Sequence, residues 1–333
     1  MSKTLLITGG SLRANGYELG EGKYYECAKL LKLDLDSGRF EVLLAVDQGN
    51  ENFPAEHPNL EFTVGTVEGD ILWLPTDTEI RKYRYPSLVL EKTFSHPCFH
   101  NIHSVAQRGD KLYVTSTGLD MVVVLDKDTG RILEYINAEG KPTWHRFSEA
   151  IDYRQEYSTR PHDCHPNYVF WIGDEPWVTR CRQEDAVQIS DMRTRIDISG
   201  SKRPMSVHDG IVVDDKILFT TVDGCVVVAD PKTQAVLETF DLSTLKGFGG
   251  LRGWCRGLHI DGDILYVGFS KLRRTRQTDK LRWAKKLLAM GKRVEESSVL
   301  AIDFKLRRIV GDYRIPQPMI DAIYTLLPTP GSG

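Results

Sequence analysis

Four stretches of this 333-residue chain repeat one pattern. They read HNIHSVAQRGDKLYVTSTGLDMVVVLDKDTGRILEY from His100, HDCHPNYVFWIGDEPWVTRCRQEDAVQISD from His162, VHDGIVVDDKILFTTVDGCVVVADPKTQAVLETF from Val207 and CRGLHIDGDILYVGFSKLRR from Cys255. Within each copy, β-branched and aromatic residues at the short β period lie between Gly/Asp turns. A repeat of roughly 40–50 residues built this way cannot bury an apolar face alone, so the copies must stack, and the radial solution is a β-propeller. Lys111 to Ser116, Ile217 to Thr221 and Ile264 to Phe269 read as second strands of their blades, and Met121 to Asp126, Cys225 to Asp230 and Ser298 to Asp303 as third strands. Two weaker copies, Ala28 to Val46 and Leu60 to Ser95, bring the expected total to six blades.

The chain ends predict how the ring closes. TLLITG, Thr4 to Gly9, resembles a second strand with nothing before it, whereas Met319 to Leu327 (MIDAIYTLL) is an apolar run without a blade of its own. Pairing the two completes the first blade and removes two exposed sheet edges. The expected fold is therefore all-β, one propeller over residues 1–328 closed by its last strand on the first blade, with a flexible tail at 329–333. One insertion, 271–297, breaks the rhythm. It carries ten Lys/Arg residues against Asp279, Glu295 and Glu296, with apolar residues at near-helical spacing from Thr278 to Met290. A solvated helix on the rim, a lid over an anionic substrate and an interface are its three readings.

A net charge of −3 and a pI near 6.3 give no basic footprint for nucleic acid or membrane, so neither is an expected partner. Six cysteines without paired spacing, and a first segment without an apolar leader, point to free thiols in the cytoplasm. There is no G-x-G-x-x-G, G-x-S-x-G or P-loop motif.

The residues at the start of each copy carry the functional expectation, because first strands line a propeller's channel. Counting back nine residues from Leu112, Pro176, Ile217 and Leu265 reaches His103, Asn167, His208 and Arg256. Same-face spacing adds Asn101 and His165. His100 and His162 fall on the other face of a regular strand, and His259 and Cys255 are out of phase with Arg256 unless a bulge intervenes. Neutral imidazoles converging from separate blades suit a divalent transition metal (iron, zinc or copper), so His103, His165 and His208, with His100, His162 and His259, are candidate ligands. Arg256 and Arg180 are candidate holders of a negative group, Asp209 a general base or a hydrogen-bonding support for the metal ligands, and Asn167 a further catalytic candidate. His57, His96 and His145 read as structural, as do the buried thiols Cys164 and Cys255.

At the blade level the chain resembles six-bladed propellers such as gluconolactonase-type hydrolases, repeat-type ligand-binding propellers and arylsulfotransferases. His165-Pro166-Asn167 resembles the channel histidine and asparagine of the arylsulfotransferases, which implies a transient sulfo-histidine and phenolic substrates. The histidine set is similar to that of the carotenoid-cleaving oxygenases, whose seven-bladed propellers hold iron through four histidines. The expected function is a metal-dependent enzyme (oxygenase, oxidoreductase, hydrolase or lyase) acting on a small polar or anionic molecule. The alternatives are metal-free group transfer through histidine and a non-catalytic propeller that binds a ligand or protein.

Overall fold

The computed structural model describes residues 3–199, 206–272 and 295–331. Six four-stranded antiparallel sheets stand around one axis. Their innermost strands are Thr66–Glu68, Ile102–Arg108, Pro166–Ile172, Ile211–Val213, Cys255–Asp261 and Ala322–Pro328. Each packs beside the next, and the last returns to the first. Most of the basic insertion lies outside the described residues.

Closure takes the expected form. Ala322–Pro328 pairs antiparallel with Thr4–Leu12, from Leu5 opposite Pro328 to Gly10 opposite Ala322. The paired segment buries Ile323, Tyr324 and Leu326, and the Thr4 and Thr329 hydroxyls meet at 2.6 Å beyond it. The second and third strands anticipated for three blades form Lys111–Ser116 with Met121–Asp126, Lys216–Thr221 with Cys225–Ala229, and Ile264–Phe269 with Ser298–Asp303.

The core is distributed between blades. Apolar clusters join neighbouring sheets, for example Leu218, Val226 and Val228 of one blade with Leu258, Leu265 and Leu300 of the next. Alternation explains this, since both faces of an inner or middle strand are covered and its sequence becomes a near-continuous apolar run such as CVVVA at Cys225–Ala229. Outer strands such as Val89–Phe94 are mostly exposed and polar-rich. None of the six cysteines is in a disulfide, and among the described residues no helix is long and apolar enough to cross a membrane.

Candidate functional site

The inner strands are not regular, and their irregularities build the site. Pairing with the second strand steps from Ile102↔Ser116 to Ser104↔Thr115, passing over His103. It steps from Pro166↔Arg180 to Tyr168↔Thr179, passing over Asn167. It steps from Cys255↔Phe269 to Leu258↔Val267, passing over Arg256 and Gly257. In the closing blade it steps from Thr8↔Thr325 to Gly9↔Ile323, passing over Tyr324. A bulged residue leaves the hydrogen-bond ladder and its side chain is re-aimed. Glycine permits two of these bulges: a Cβ on Gly9 would lie 1.8 Å from the Ala322 carbonyl oxygen, and one on Gly268 would lie 2.4 Å from that of Arg256.

In the remaining two blades the axial residue precedes the regular strand. His208 donates its backbone N–H to Thr220 O at 3.0 Å before pairing resumes at Ile211, and Val64 bridges to Ser104 of the next blade. Thus Val64, His103, Asn167, His208, Arg256 and Tyr324, one per blade, surround a void of about 10 Å³ on the axis, with Asp209 beside them. That volume admits about one water molecule. The Oδ1 of Asn167 and the Nε of Arg256 are buried there without a hydrogen-bond partner.

His103, His208, Arg256 and Tyr324 also form part of a larger cavity of about 710 Å³, within the range of about 300–1,000 Å³ that takes small molecules. Turns between second and third strands supply part of its wall (Asp77, Arg182, Val222), and the segment from Tyr157 to His165 crosses it. Asn101 and His165, at equivalent positions two residues before His103 and Asn167, adopt left-handed φ of 50° and 58° and line this cavity. The loop bearing His165 is gripped by Asp120, whose carboxylate accepts the backbone N–H groups of Asp163, Cys164 and His165 at 2.8–3.0 Å and is paired with Arg146.

Hydrogen bonding fixes the histidine tautomers. The Thr117 hydroxyl donates to the Pro166 carbonyl, so it can only accept from His103 Nδ1, 3.0 Å away. The Nδ1 of His103 therefore carries the proton and the Nε2 keeps its lone pair. The Thr159 hydroxyl likewise donates to Gly118 O and accepts from His162 Nε2 at 3.3 Å. His162 Nδ1 is then the acceptor of its 2.7 Å bond to His165 Nδ1, which leaves the lone pair of His165 on Nε2 as well. The His103 and His165 rings are 4.7 Å apart, and His208 is 6.1 Å from His103. His100 donates from Nε2 to Glu156 O at 3.1 Å and so holds the crossing segment.

The imidazoles of His100, His103, His162 and His165 are neutral at pH 7. Burial pushes His100 down to about 4, and burial with smaller contributions from neighbouring groups such as Arg160 brings His162 to about 4. Burial first, then Arg256 and neighbouring rings, hold His103 well below the ordinary range; burial, His103 and His162 do the same for His165. The guanidinium of Arg256 is sandwiched between Trp254 and Tyr324, 4.5 and 4.9 Å from their ring centres. Asp209 accepts from Thr220 Oγ1 and from Gly257 N at 3.0 Å, and burial pushes it up to about 6 despite those bonds.

Two expected members are elsewhere. Arg180 is held by Asp185, its cross-strand partner, through bonds of 2.8 and 2.6 Å, and by the Ala138 carbonyl, so its charge is spent inside its own blade. His259 lies against Tyr266, 6.1 Å between ring centres, outside the cavity. Among the described residues no group of three His, Cys, Asp or Glu side chains is arranged to hold a metal ion. The chemistry explains part of this, because His162 commits both ring nitrogens and the positive field of Arg256 opposes a divalent cation as it opposes protonation.

Residues that the sequence reading passed over also reach the cavity, among them Glu61, Asp77, Arg160 and Tyr324. Arg160 is paired with Glu21 across its mouth. For Val64 the counting misses by one, since the nine-residue step from Leu72, the residue equivalent to Leu112, reaches Thr63.

No protein-family model matches this chain, and no curated protein matches it. Among solved structures it is similar to a protein of unknown function from Bacteroides caccae, at 12% identity over 98% of this chain and 99% of that one, with a TM-score of 0.63. It is also similar to a chain of a nidogen/laminin complex, at 10% identity over 97% of each chain, with a TM-score of 0.57. Likeness at such identity concerns the fold alone.

Proposed function

We propose that the cavity is the active site of an enzyme that takes a small anionic molecule and works by proton transfer to histidine, without a metal. Arg256 receives the anion, and the Nε2 lone pairs of His103 and His165 accept a proton from the substrate or from an attacking water. One observation carries this reading. Two neutral imidazoles, His103 buried and His165 half-buried, with Nδ1–H held by partners whose own hydrogen bonds fix their roles, flank an arginine whose Nε has no partner. A base held so far below its ordinary range is weak until the site fills. Because Arg256 contributes to that depression, an anion seated on it cancels the opposing field and strengthens the base as substrate binds.

Turnover of small phosphate, sulfate and carboxylate esters and lactones tests the reading on tag-free protein, with its metal content measured. Turnover should survive chelation, fall by about 10²–10⁴ in His103→Asn or His165→Asn with binding kept, and vanish with binding in Arg256→Met. Stoichiometric metal whose removal abolishes turnover, or full activity of both histidine variants, overturns it.

A further inference from the structure

The cavity is electrically two-sided. Arg256, stacked and with its Nε unpartnered, stands toward one side. Asp77, 7% exposed, and Glu61, 2% exposed, line the same cavity two blades along the ring, beyond the blade of Tyr324. Asn59 donates to Glu61 Oε1 at 2.9 Å, and no lysine or arginine is paired with Asp77 among the described residues. Tyr324 separates the two charges: its ring lies under the guanidinium, 4.9 Å from it, and its hydroxyl donates to Glu61 Oε1 at 3.4 Å. Beside the carboxylates, Tyr25 and Tyr324 meet edge to face, 6.4 Å between centres. Carboxylates beside aromatic rings are what an ammonium group requires, by charge and by cation–π attraction. Left without a cation, a carboxylate such as that of Asp77 is costly to bury, and burial pushes Asp77 up to about 7 despite a hydrogen bond from Asn59.

We infer that the ligand of this cavity is a small zwitterion, its anionic group on Arg256 and its ammonium between Glu61, Asp77 and the Tyr25 and Tyr324 rings. The inference rests on the reading of Arg256 as the anion seat. It adds the second charge, and with it a substrate class of amino-carboxylates, amino-phosphates or their close derivatives.

Trp254 lies on Arg256 and lines the cavity, so its fluorescence, with calorimetry, reports occupancy. The probes are ω-amino carboxylates with two to six methylenes, compared with alkanoates and ω-hydroxy alkanoates of the same length. At the best length the amino compound should bind at least about tenfold more tightly than both comparators, a difference that one well-placed ion pair can supply. That preference should disappear in Asp77→Asn or Glu61→Gln, whichever retains the wild-type melting temperature, and all binding should be lost in Arg256→Met. Equal affinity of the three series, with binding still dependent on Arg256, overturns the zwitterion and leaves the anion seat standing. A preference that survives both carboxylate variants overturns it as well, and no binding of any probe overturns both readings.

Discussion

Replacing Thr117 by valine tests the hydrogen-bond logic of the site at its root. The Thr117 side chain is fully buried, and its hydroxyl serves two partners: it donates to the Pro166 carbonyl and accepts from His103 Nδ1. Valine keeps the volume and removes both bonds. A buried polar group left without its partner costs about 1–3 kcal/mol, so the two together cost about 2–6 kcal/mol, a large part of the 5–15 kcal/mol that holds a domain folded. Urea unfolding measures that loss. Histidine ¹⁵N spectroscopy reads the chemistry directly, because protonated and unprotonated ring nitrogens have distinct shifts. In the wild type, His103 and His165 should carry the proton on Nδ1 at pH 7 and remain neutral at pH 5. In Thr117→Val, His103 should become a mixture of tautomers while His165, held by His162, does not change. A wild-type His103 protonated on Nε2, or titrating near 6.5, would refute the reasoning, as would a variant with unaltered stability and tautomer.

Acid should destabilise the protein through the same histidines. His100 and His162 titrate at about 4 when folded, and burial holds His103 and His165 well below the ordinary 6.5 as well, so unfolding takes up protons as pH falls below 6.5; Asp77 (about 7) and Asp209 (about 6), raised from 3.8, act oppositely. Four groups against two leave a net uptake of about two protons near pH 5.5, so stability should fall by about 3 kcal/mol per pH unit, and urea midpoints that hold steady from pH 6 to 5 would contradict this. Deleting the residues after Gln317 removes Ile320, Ile323, Tyr324 and Leu326, each at most 6% exposed. At about 1.5–3 kcal/mol per side chain the loss is about 6–12 kcal/mol, so cooperative thermal unfolding should disappear, and a truncated chain that melts like the full one would show that closure contributes little.

How much of this was legible follows from what repeats. Strand pairing recurs from blade to blade, so equal counting from the second strands Lys111–Ser116, Lys216–Thr221 and Ile264–Phe269 led to His103, His208 and Arg256, which do face one void. Alternation alone does not predict their direction, since His103, Asn167 and Arg256 are displaced by bulges that no period-2 pattern encodes. Arg180 misled because its cross-strand partner, Asp185, stands five residues later in the same hairpin, a local pair that outcompetes a distant ligand. The acidic side was missed for the opposite reason. Glu61 and Asp77 lie outside the strands of the blade whose sequence least resembles the others, where neither spacing nor repetition marks them.

The bulges also give the axis the character of a six-letter word. Read around the ring it is Val64, His103, Asn167, His208, Arg256, Tyr324, one letter from each blade. Where the letter is a bulged residue, its backbone has already left the ladder, so a different side chain can be written there without shifting the register of the strand that carries it. Such a scaffold can change its chemical vocabulary one position at a time, from base to anion holder to apolar plug, while the blades that spell the word stay as they are.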